Sequence, residues 1–303
     1  MSLGFLDNFG GLFEDPPPAF VFEMSQSGIA CGVRSKRRGQ PPKVTFQRFA
    51  EGEVLAISPV RDNVAKPAEF ARHVAGLAPQ TGSRKRREAA LILPDYCARV
   101  AVLDFESFPT DPEEQASLVR FRMKKTVPFD LDAAAVNFHA AKLGKRFEVV
   151  VAAAAEEIVA KYEAPFRAAG YLPGFCTTSM LASMDLMPAK DLNVAVKLCD
   201  KVITVALCDG RCPKLIRCVE LSEMTFEEVM AVLYPTFAYA EDELKRRPAR
   251  MVICGFGDAT NPLREQWQTD LNVPVETMQS SWGAPGEFNA GLMGWLHAQE
   301  SKQ

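Results

Sequence analysis

The spacing of apolar residues predicts two regions that each begin with adjacent strands and then become helical. Residues 19–23, 28–34 and 44–49 are short apolar or alternating runs joined by polar turns, a pattern typical of strands. Residues 193–198, 202–208 and 214–220 repeat this arrangement later in the chain. Helical patterns follow each group, so the sequence predicts an α/β protein with a mixed sheet in each half.

A block in the first half has its own pattern of strands around one capped helix. Residues 89–95 and 99–105 read as strands, and residues 136–143 and 146–153 read as a hairpin that turns at Gly144-Lys145. Asp111 precedes a proline and two glutamates, which is the signal of a capped helix start, and we expect this helix to reach residue 126. We interpret residues 85–155 as a small inserted α+β subdomain.

These patterns predict three parts. Residues 1–18 form an N-terminal tail, residues 19–187 a first lobe that includes the insert, and residues 188–303 a second lobe. Apolar residues of the tail fall at helical spacing, while its glycines and acidic residues oppose a membrane-binding helix. We therefore expect a packed or disordered tail, with a membrane-contacting helix as the alternative.

Composition and charge favour an ordinary soluble protein. The chain has 303 residues, 48% hydrophobic and 24% charged, with a net charge of −3, so nothing attracts it globally to nucleic acid. Basic runs at 35–39 and 83–87 lack the interleaved aromatic residues of single-strand binders and read as solvated loops. The sequence shows neither a long apolar span nor a signal-peptide pattern, and we expect a cytoplasmic protein.

Cysteine and histidine patterns give little support for a metal site. The eight cysteines are scattered among apolar neighbours, which favours reduced, buried thiols. Cys208 and Cys212, with Cys199 and Cys218 nearby, leave zinc as an alternative, but Asp209-Gly210 between them is typical of a hairpin turn. None of the three histidines has metal-ligand spacing. We interpret the acidic residues beside the insert strands (Asp95, Asp104 and Glu106) as turn residues.

Several short motifs follow one another in order along most of the chain. They are Leu93-Pro94-Asp95, Val127-Pro128-Phe129-Asp130, the Glu148–Ala152 strand, Tyr162 with Ala168-Ala169-Gly170-Tyr171, and Met251–Gly255. In their order and spacing these motifs resemble the PilM family of actin-like type IV pilus assembly proteins, and FtsA and the cytoplasmic domain of GspL are similar in fold. The resemblance implies a two-lobed actin-like (ribonuclease-H-like) fold with a small insert. It also implies ATP between the lobes, a cytosolic location, and a partner like PilN, a bitopic inner-membrane protein.

The same resemblance locates a nucleotide site with altered residues. The Asp-x-Gly motifs of the two phosphate-clamping turns fall on Glu23-Met24-Ser25 and on Lys197-Leu198-Cys199. A lysine cannot organise magnesium, and two glycines that let the backbone approach phosphate are lost. Gly255 and Gly257 keep the form of an adenosine-side loop, although a strand-to-helix turn would also favour glycine.

We therefore expect a degenerate nucleotide site and no enzymatic activity, in a scaffold that needs no cofactor. The alternative is an ATP-binding or ATP-hydrolysing protein of the same apparatus.

The partner's tail is expected to dock on the insert and the neighbouring lobe. The helix of the insert presents Phe121 and Met123 beside basic residues, among them Arg122 and Lys125. An apolar surface rimmed with positive charge suits an extended peptide with apolar anchors. The alternative is that these apolar residues pack the insert's own core. Self-association is a further expectation.

Overall fold

The computed structural model describes residues 18–35, 39–50, 54–77 and 87–301. The predicted tail up to residue 17 and most of both basic runs lie outside the described residues. Among the helices in these ranges, none is both long and apolar enough to cross a membrane.

Strands and helices alternate as the apolar pattern predicted, with modest shifts at their ends. The strands are β1 (Phe20–Ser25), β2 (Gly28–Val33), β3 (Lys43–Arg48), β4 (Arg87–Leu93), β5 (Arg99–Phe105), β6 (Ala134–Leu143), β7 (Arg146–Ala155), β8 (Tyr171–Thr178), β9 (Leu192–Cys199), β10 (Val202–Asp209), β11 (Cys212–Glu220), β12 (Arg250–Cys254) and β13 (Val275–Thr277). The α-helices are α1 (Pro67–Leu77), α2 (Pro112–Met123), α3 (Glu156–Ala168), α4 (Ser179–Ser183), α5 (Phe226–Asp242), α6 (Thr260–Leu271) and α7 (Ala290–Ser301).

Two five-stranded sheets have the same topology. Their strand orders are β3-β2-β1-β4-β8 and β11-β10-β9-β12-β13. In each, an antiparallel meander supplies a first strand (β1 or β9) that pairs in parallel with a later strand. The predicted α/β architecture with a mixed sheet in each half is confirmed.

The insert is smaller than predicted because its first strand belongs elsewhere. Strand β4 lies between β1 and β8 in the first sheet, so assigning residues 89–95 to the insert was wrong. The insert proper is a sheet of order β5-β7-β6 covered by α2, whose Val119 and Met123 are fully buried. Asp111 caps α2 as predicted and accepts hydrogen bonds from Glu113 N and Glu114 N. The helix ends at Met123, three residues earlier than expected.

A single apolar core joins the two lobes. It combines β1 and β4 of the first sheet with β9, β10 and β12 of the second, and α4 and α7 complete it. Although α7 follows the second lobe in the chain, it packs on α4, β1 and β2 of the first. The predicted boundary at residue 188 lies between β8 of the first sheet and β9 of the second, but α7, which follows it in the chain, packs on the first lobe.

The close packing of α7 on α4 depends on Gly294. A Cβ atom at this position would overlap the carbonyl oxygen of Ala182. In α1, a Cβ at Gly76 would lie 3.7 Å from the Gln47 side chain, an ordinary contact. The two glycines therefore allow helix propensity to be separated from helix packing.

We predict that Gly294→Ala lowers the free energy of unfolding by about 1–3 kcal/mol, because overpacking outweighs the better helix propensity of alanine. Gly76→Ala, the control, should be neutral or slightly stabilising. Urea unfolding followed by circular dichroism measures both. Equal effects of the two substitutions would contradict the packing account.

The cleft between the lobes

Lys197 and Asp95 form a buried ion pair that joins the two lobes. Strand β9 alternates between its own lobe's core and the core shared by the lobes, and Lys197 follows Ala195 on the shared side. Asp95 begins a 3₁₀ turn directly after β4. The Lys197 Nζ and Asp95 Oδ2 atoms are 2.8 Å apart, and both side chains are only 4% exposed. Burial, the largest single influence, lowers the pKa of Lys197, but the surrounding acidic groups, Asp95 foremost, together outweigh it and the net shift is upward.

Further hydrogen bonds satisfy the Asp95 carboxylate. Its Oδ1 atom accepts from Met180 N at 2.7 Å, and Oδ2 accepts from the Thr204 hydroxyl at 3.0 Å. Thr204 lies directly opposite Lys197 in the antiparallel pair of β9 and β10, so both side chains point to the same side of the sheet. Complete pairing is the condition under which buried charges are tolerated.

Strands β1 and β9 are equivalent in the two sheets, and Glu23 lies near the end of β1 as Lys197 does near the end of β9. Its carboxylate accepts hydrogen bonds from Leu292 N at 2.7 Å and Gly291 N at 3.3 Å, in the first turn of α7, and from the Ser179 hydroxyl. The helix N-terminus favours this negative charge. Burial nevertheless raises the pKa of Glu23, and the Lys197 charge opposes the shift without cancelling it.

The turn between β1 and β2 directly contacts the turn between β9 and β10. The Asp200 carboxylate accepts from Gln26 N at 2.7 Å and from the Ser27 hydroxyl at 2.5 Å. The Ser25 hydroxyl accepts from Gly28 N and donates to Gly28 O, both at 3.1 Å. Side chains of this chain therefore occupy the amide groups of Gln26 and Gly28.

Little space remains between these turns. The cavity that Lys197, Cys199 and Asp200 help to line has a volume of about 10 Å³, which is room for one water molecule. The Cys199 thiol is 3.9 Å from an Asp200 carboxylate oxygen, and burial raises its pKa. It is therefore neutral and faces this small cavity, while a separate cavity of about 80 Å³ borders Asp95 and Thr204.

The two candidate glycines have different surroundings. Gly255 has a φ of 85°, and a Cβ atom there would overlap the carbonyl oxygen of Leu198. The close approach of the chain after β12 to the backbone of β9, together with the positive φ, therefore accounts for this glycine. Gly257 has a φ of 52°, and a Cβ atom there would overlap the Glu287 carboxylate.

The structure brings together Glu23, Lys197 and Cys199 of the predicted site, while Ser25 stabilises its own turn. Sequence reasoning missed Asp95 and Asp200. Asp95 lies in a turn, as predicted, but its carboxylate is buried against Lys197. The one available signal was Lys197 itself, since a lysine inside a buried strand needs an acidic partner.

Besides Cys199, Cys218 and Cys254 lie next to this network of charges: the Cys218 sulfur is 3.5 Å from the Thr204 hydroxyl, and Cys254 is opposite Lys197 in the register of β12 and β9. All eight are free thiols, and Cys208 is buried while Cys212 is exposed, at either end of the predicted Asp209-Gly210 hairpin turn. The ranges that the structure describes contain no group of three histidine, cysteine or acidic residues placed to hold a metal ion.

Comparison with solved structures identifies the fold. A type IV pilus biogenesis complex of PilM and PilN matches 94% of this chain and 99% of its own, with a TM-score of 0.68 and 19% identity. The fold is actin-like. A protein of this fold from Bacteroides thetaiotaomicron matches 91% of this chain and 94% of its own (TM-score 0.57, 10% identity). The cytoplasmic domain of EpsL, from the type II secretion system of Vibrio cholerae, matches 94% of both chains (TM-score 0.51, 10% identity).

The predicted resemblance to PilM and to GspL-type domains is thus confirmed at the level of the fold. No family model matches the sequence, and no curated protein does. Glu23 belongs to the first sheet and Lys197 to the second, so the cleft that contains them lies between the two lobes of this actin-like fold.

We predict that burial of Glu23 makes stability depend on pH. Because the folded-state pKa is raised above the ordinary value of 4.5, the folded protein binds more protons than the unfolded chain above that pH. The contribution of Glu23 is therefore largest at low pH and is lost as the pH rises toward the folded-state pKa. Urea unfolding from pH 4 to 8 should show the wild type losing stability relative to Glu23→Gln as the pH rises. If the stability of the wild type relative to Glu23→Gln stays constant or increases with pH, the assignment is wrong.

Proposed function

We propose that this protein is a cytoplasmic, non-catalytic scaffold of a type IV pilus or type II secretion apparatus, which holds the tail of a bitopic inner-membrane partner. The likeness to PilM in its complex with PilN, and to the cytoplasmic domain of the inner-membrane component EpsL, supports this class of function. The single observation that carries the proposal within this chain is the exposure of Phe121.

Phe121, in the last turn of α2, is 73% exposed, more than any other large apolar residue of the described ranges. The core of the insert is complete without it, since Val119 and Met123 anchor α2. The expectation that Met123 is presented beside Phe121 was wrong, because Met123 faces the β-sheet of the insert. Phe121 is thus an apolar group available to a partner.

Basic residues flank Phe121 in the sequence, but they differ in how free their charged groups are to contact a partner. The Arg120 guanidinium donates to the carbonyl groups of Leu131 and Ala134 and is used within the insert. Arg122 lies 5.1 Å from the centre of the Phe105 ring and donates to the Asp104 carbonyl at 3.4 Å, but it remains exposed, as do Lys124 and Lys125. An aromatic anchor beside three exposed cations fits a peptide with apolar side chains and acidic neighbours.

The insert is firmly held, so that docking would occur on a rigid surface. Its β7 residue Glu148 forms an ion pair with Lys214 of β11, with N–O distances of 2.5 and 2.6 Å. Strand β5 also packs beside β11. The insert is therefore connected along the chain to the first lobe and makes its stabilising contacts with the second.

The cleft supports the non-catalytic part of the proposal. A magnesium nucleotide would require the turn amides that now bind Asp200 and Ser25, and an acidic group where the Lys197 ammonium lies. It would also require far more than about 10 Å³. The residues present therefore do not fit a magnesium-bound triphosphate.

The docking proposal is tested with Phe121→Asp and the control Tyr234→Asp, since Tyr234 is 55% exposed on α5 of the second lobe. The probe is a synthetic peptide with the cytoplasmic tail of the bitopic protein encoded beside this one. Phe121→Asp should weaken binding by at least about tenfold, as expected for loss of an interface anchor, and the control should bind normally. Unchanged binding by Phe121→Asp would exclude this surface.

The nucleotide part is tested by calorimetric titration with a non-hydrolysable ATP analogue and magnesium. We expect no magnesium-dependent binding. A micromolar dissociation constant, about −8 kcal/mol, would instead support an ATP-binding protein of the same apparatus.

A further inference from the structure

Two charged side chains of opposite sign, an anion and a cation, join the two lobes at the cleft. From the second lobe, the Asp200 carboxylate reaches the first-lobe turn at Gln26 and Ser27. The Lys197 ammonium of the second lobe reaches Asp95 of the first. Each contact therefore crosses from one lobe to the other, between residues more than 100 positions apart in the chain.

The Asp200 contact has the chemistry of anion binding. A backbone N–H and a hydroxyl donate to two different oxygens of one carboxylate, as donors in turns do toward a phosphate. Asp200 is held in a left-handed conformation with a φ of 55° at the tip of the β9–β10 turn. This backbone geometry is tolerated by aspartate and directs its side chain across the cleft.

The Lys197 contact has the chemistry of cation binding. Its ammonium lies at 2.8 Å from Asp95, with Glu23 contributing further negative charge nearby. A bound metal ion would balance such carboxylates in the same way. The lysine supplies that positive charge from within the chain.

We propose that Asp200 and Lys197 are built-in ligands of the cleft, an anion and a cation that hold the two lobes closed without a nucleotide. The inference rests on the proposed nucleotide-free cleft and adds what keeps it closed. The alternative is that the apolar core shared by the lobes is sufficient, and the polar contacts only fill the cleft.

Thiol labelling can distinguish these two accounts. Cys254 is buried in the shared core and pairs with Lys197 in the register of β12 and β9, so opening of the lobes would expose it. Cys31 is buried in the separate core of the first lobe and reports unfolding of that lobe. Cys212 is exposed and reports the activity of the reagent. Iodoacetamide labelling of the full chain, mapped by peptide mass, measures all three rates in one sample.

The test variant is Asp200→Gly, since glycine accepts the left-handed backbone while the carboxylate is lost. The matched control is Asp191→Gly, because Asp191 also has a left-handed backbone, with a φ of 67°, and precedes β9. Asp200→Gly should label Cys254 at least tenfold faster than the wild type, or about 1.4 kcal/mol in opening free energy. Cys31 and the control variant should be unchanged.

A second variant, Lys197→Met with Asp95→Asn, removes both charges of the ion pair without leaving one unpaired, and it should also label faster at Cys254. If Cys254 labels as slowly as in the wild type in both variants, the apolar core alone holds the lobes and the proposal is wrong. Equal acceleration of Cys31 and Cys254 would also overturn it, because that indicates general destabilisation. Nucleotide titration and peptide capture by the same variants report separately on the proposed function.

Discussion

The structure depends on balancing three buried charges in the middle of the molecule. Glu23, Asp95 and Lys197 all lie where water is excluded, and such burial is costly for each unless hydrogen bonds and opposite charge compensate. The compensation comes from different parts of the chain. The N-terminus of α7 supports Glu23, and Thr204 with the Met180 amide supports Asp95. These groups come together only when both sheets and α7 are in place, so the three charges are compensated only in this arrangement of the lobes.

Much of the fold could be predicted because its signals are local. Asp111 begins α2 as expected, and the Thr225 hydroxyl accepts from Glu228 N in the same kind of local cap at the start of α5. The errors concerned which elements pack together. Strand β4 looked like a strand of the insert, and α7 like part of the second lobe, because parallel pairing and helix docking join distant segments. The sequence of a buried apolar strand does not indicate which sheet the strand joins.

The candidate site shows the same limit at the level of side chains. Lys197 was recognisable as a departure from the expected acid, but its partner lies 102 residues earlier, in a turn that seemed unremarkable. Asp200 was hidden for the opposite reason, since an aspartate in a tight turn needs no other explanation. On α2, the residues Phe121 and Met123 are two positions apart and equally apolar, yet one is exposed and the other buried. Only the position of the sheet beneath the helix decides between them.

A double-mutant cycle on Lys197→Met and Asp95→Asn, measured by urea unfolding, tests the central claim most directly. If the ion pair is what the surrounding structure is built to balance, each single variant leaves a buried group unpaired. The double variant should then be more stable than Lys197→Met alone, with a coupling energy of about 1–3 kcal/mol. Strictly additive effects of the two substitutions would contradict the account, because they would show that neither charge depends on the other.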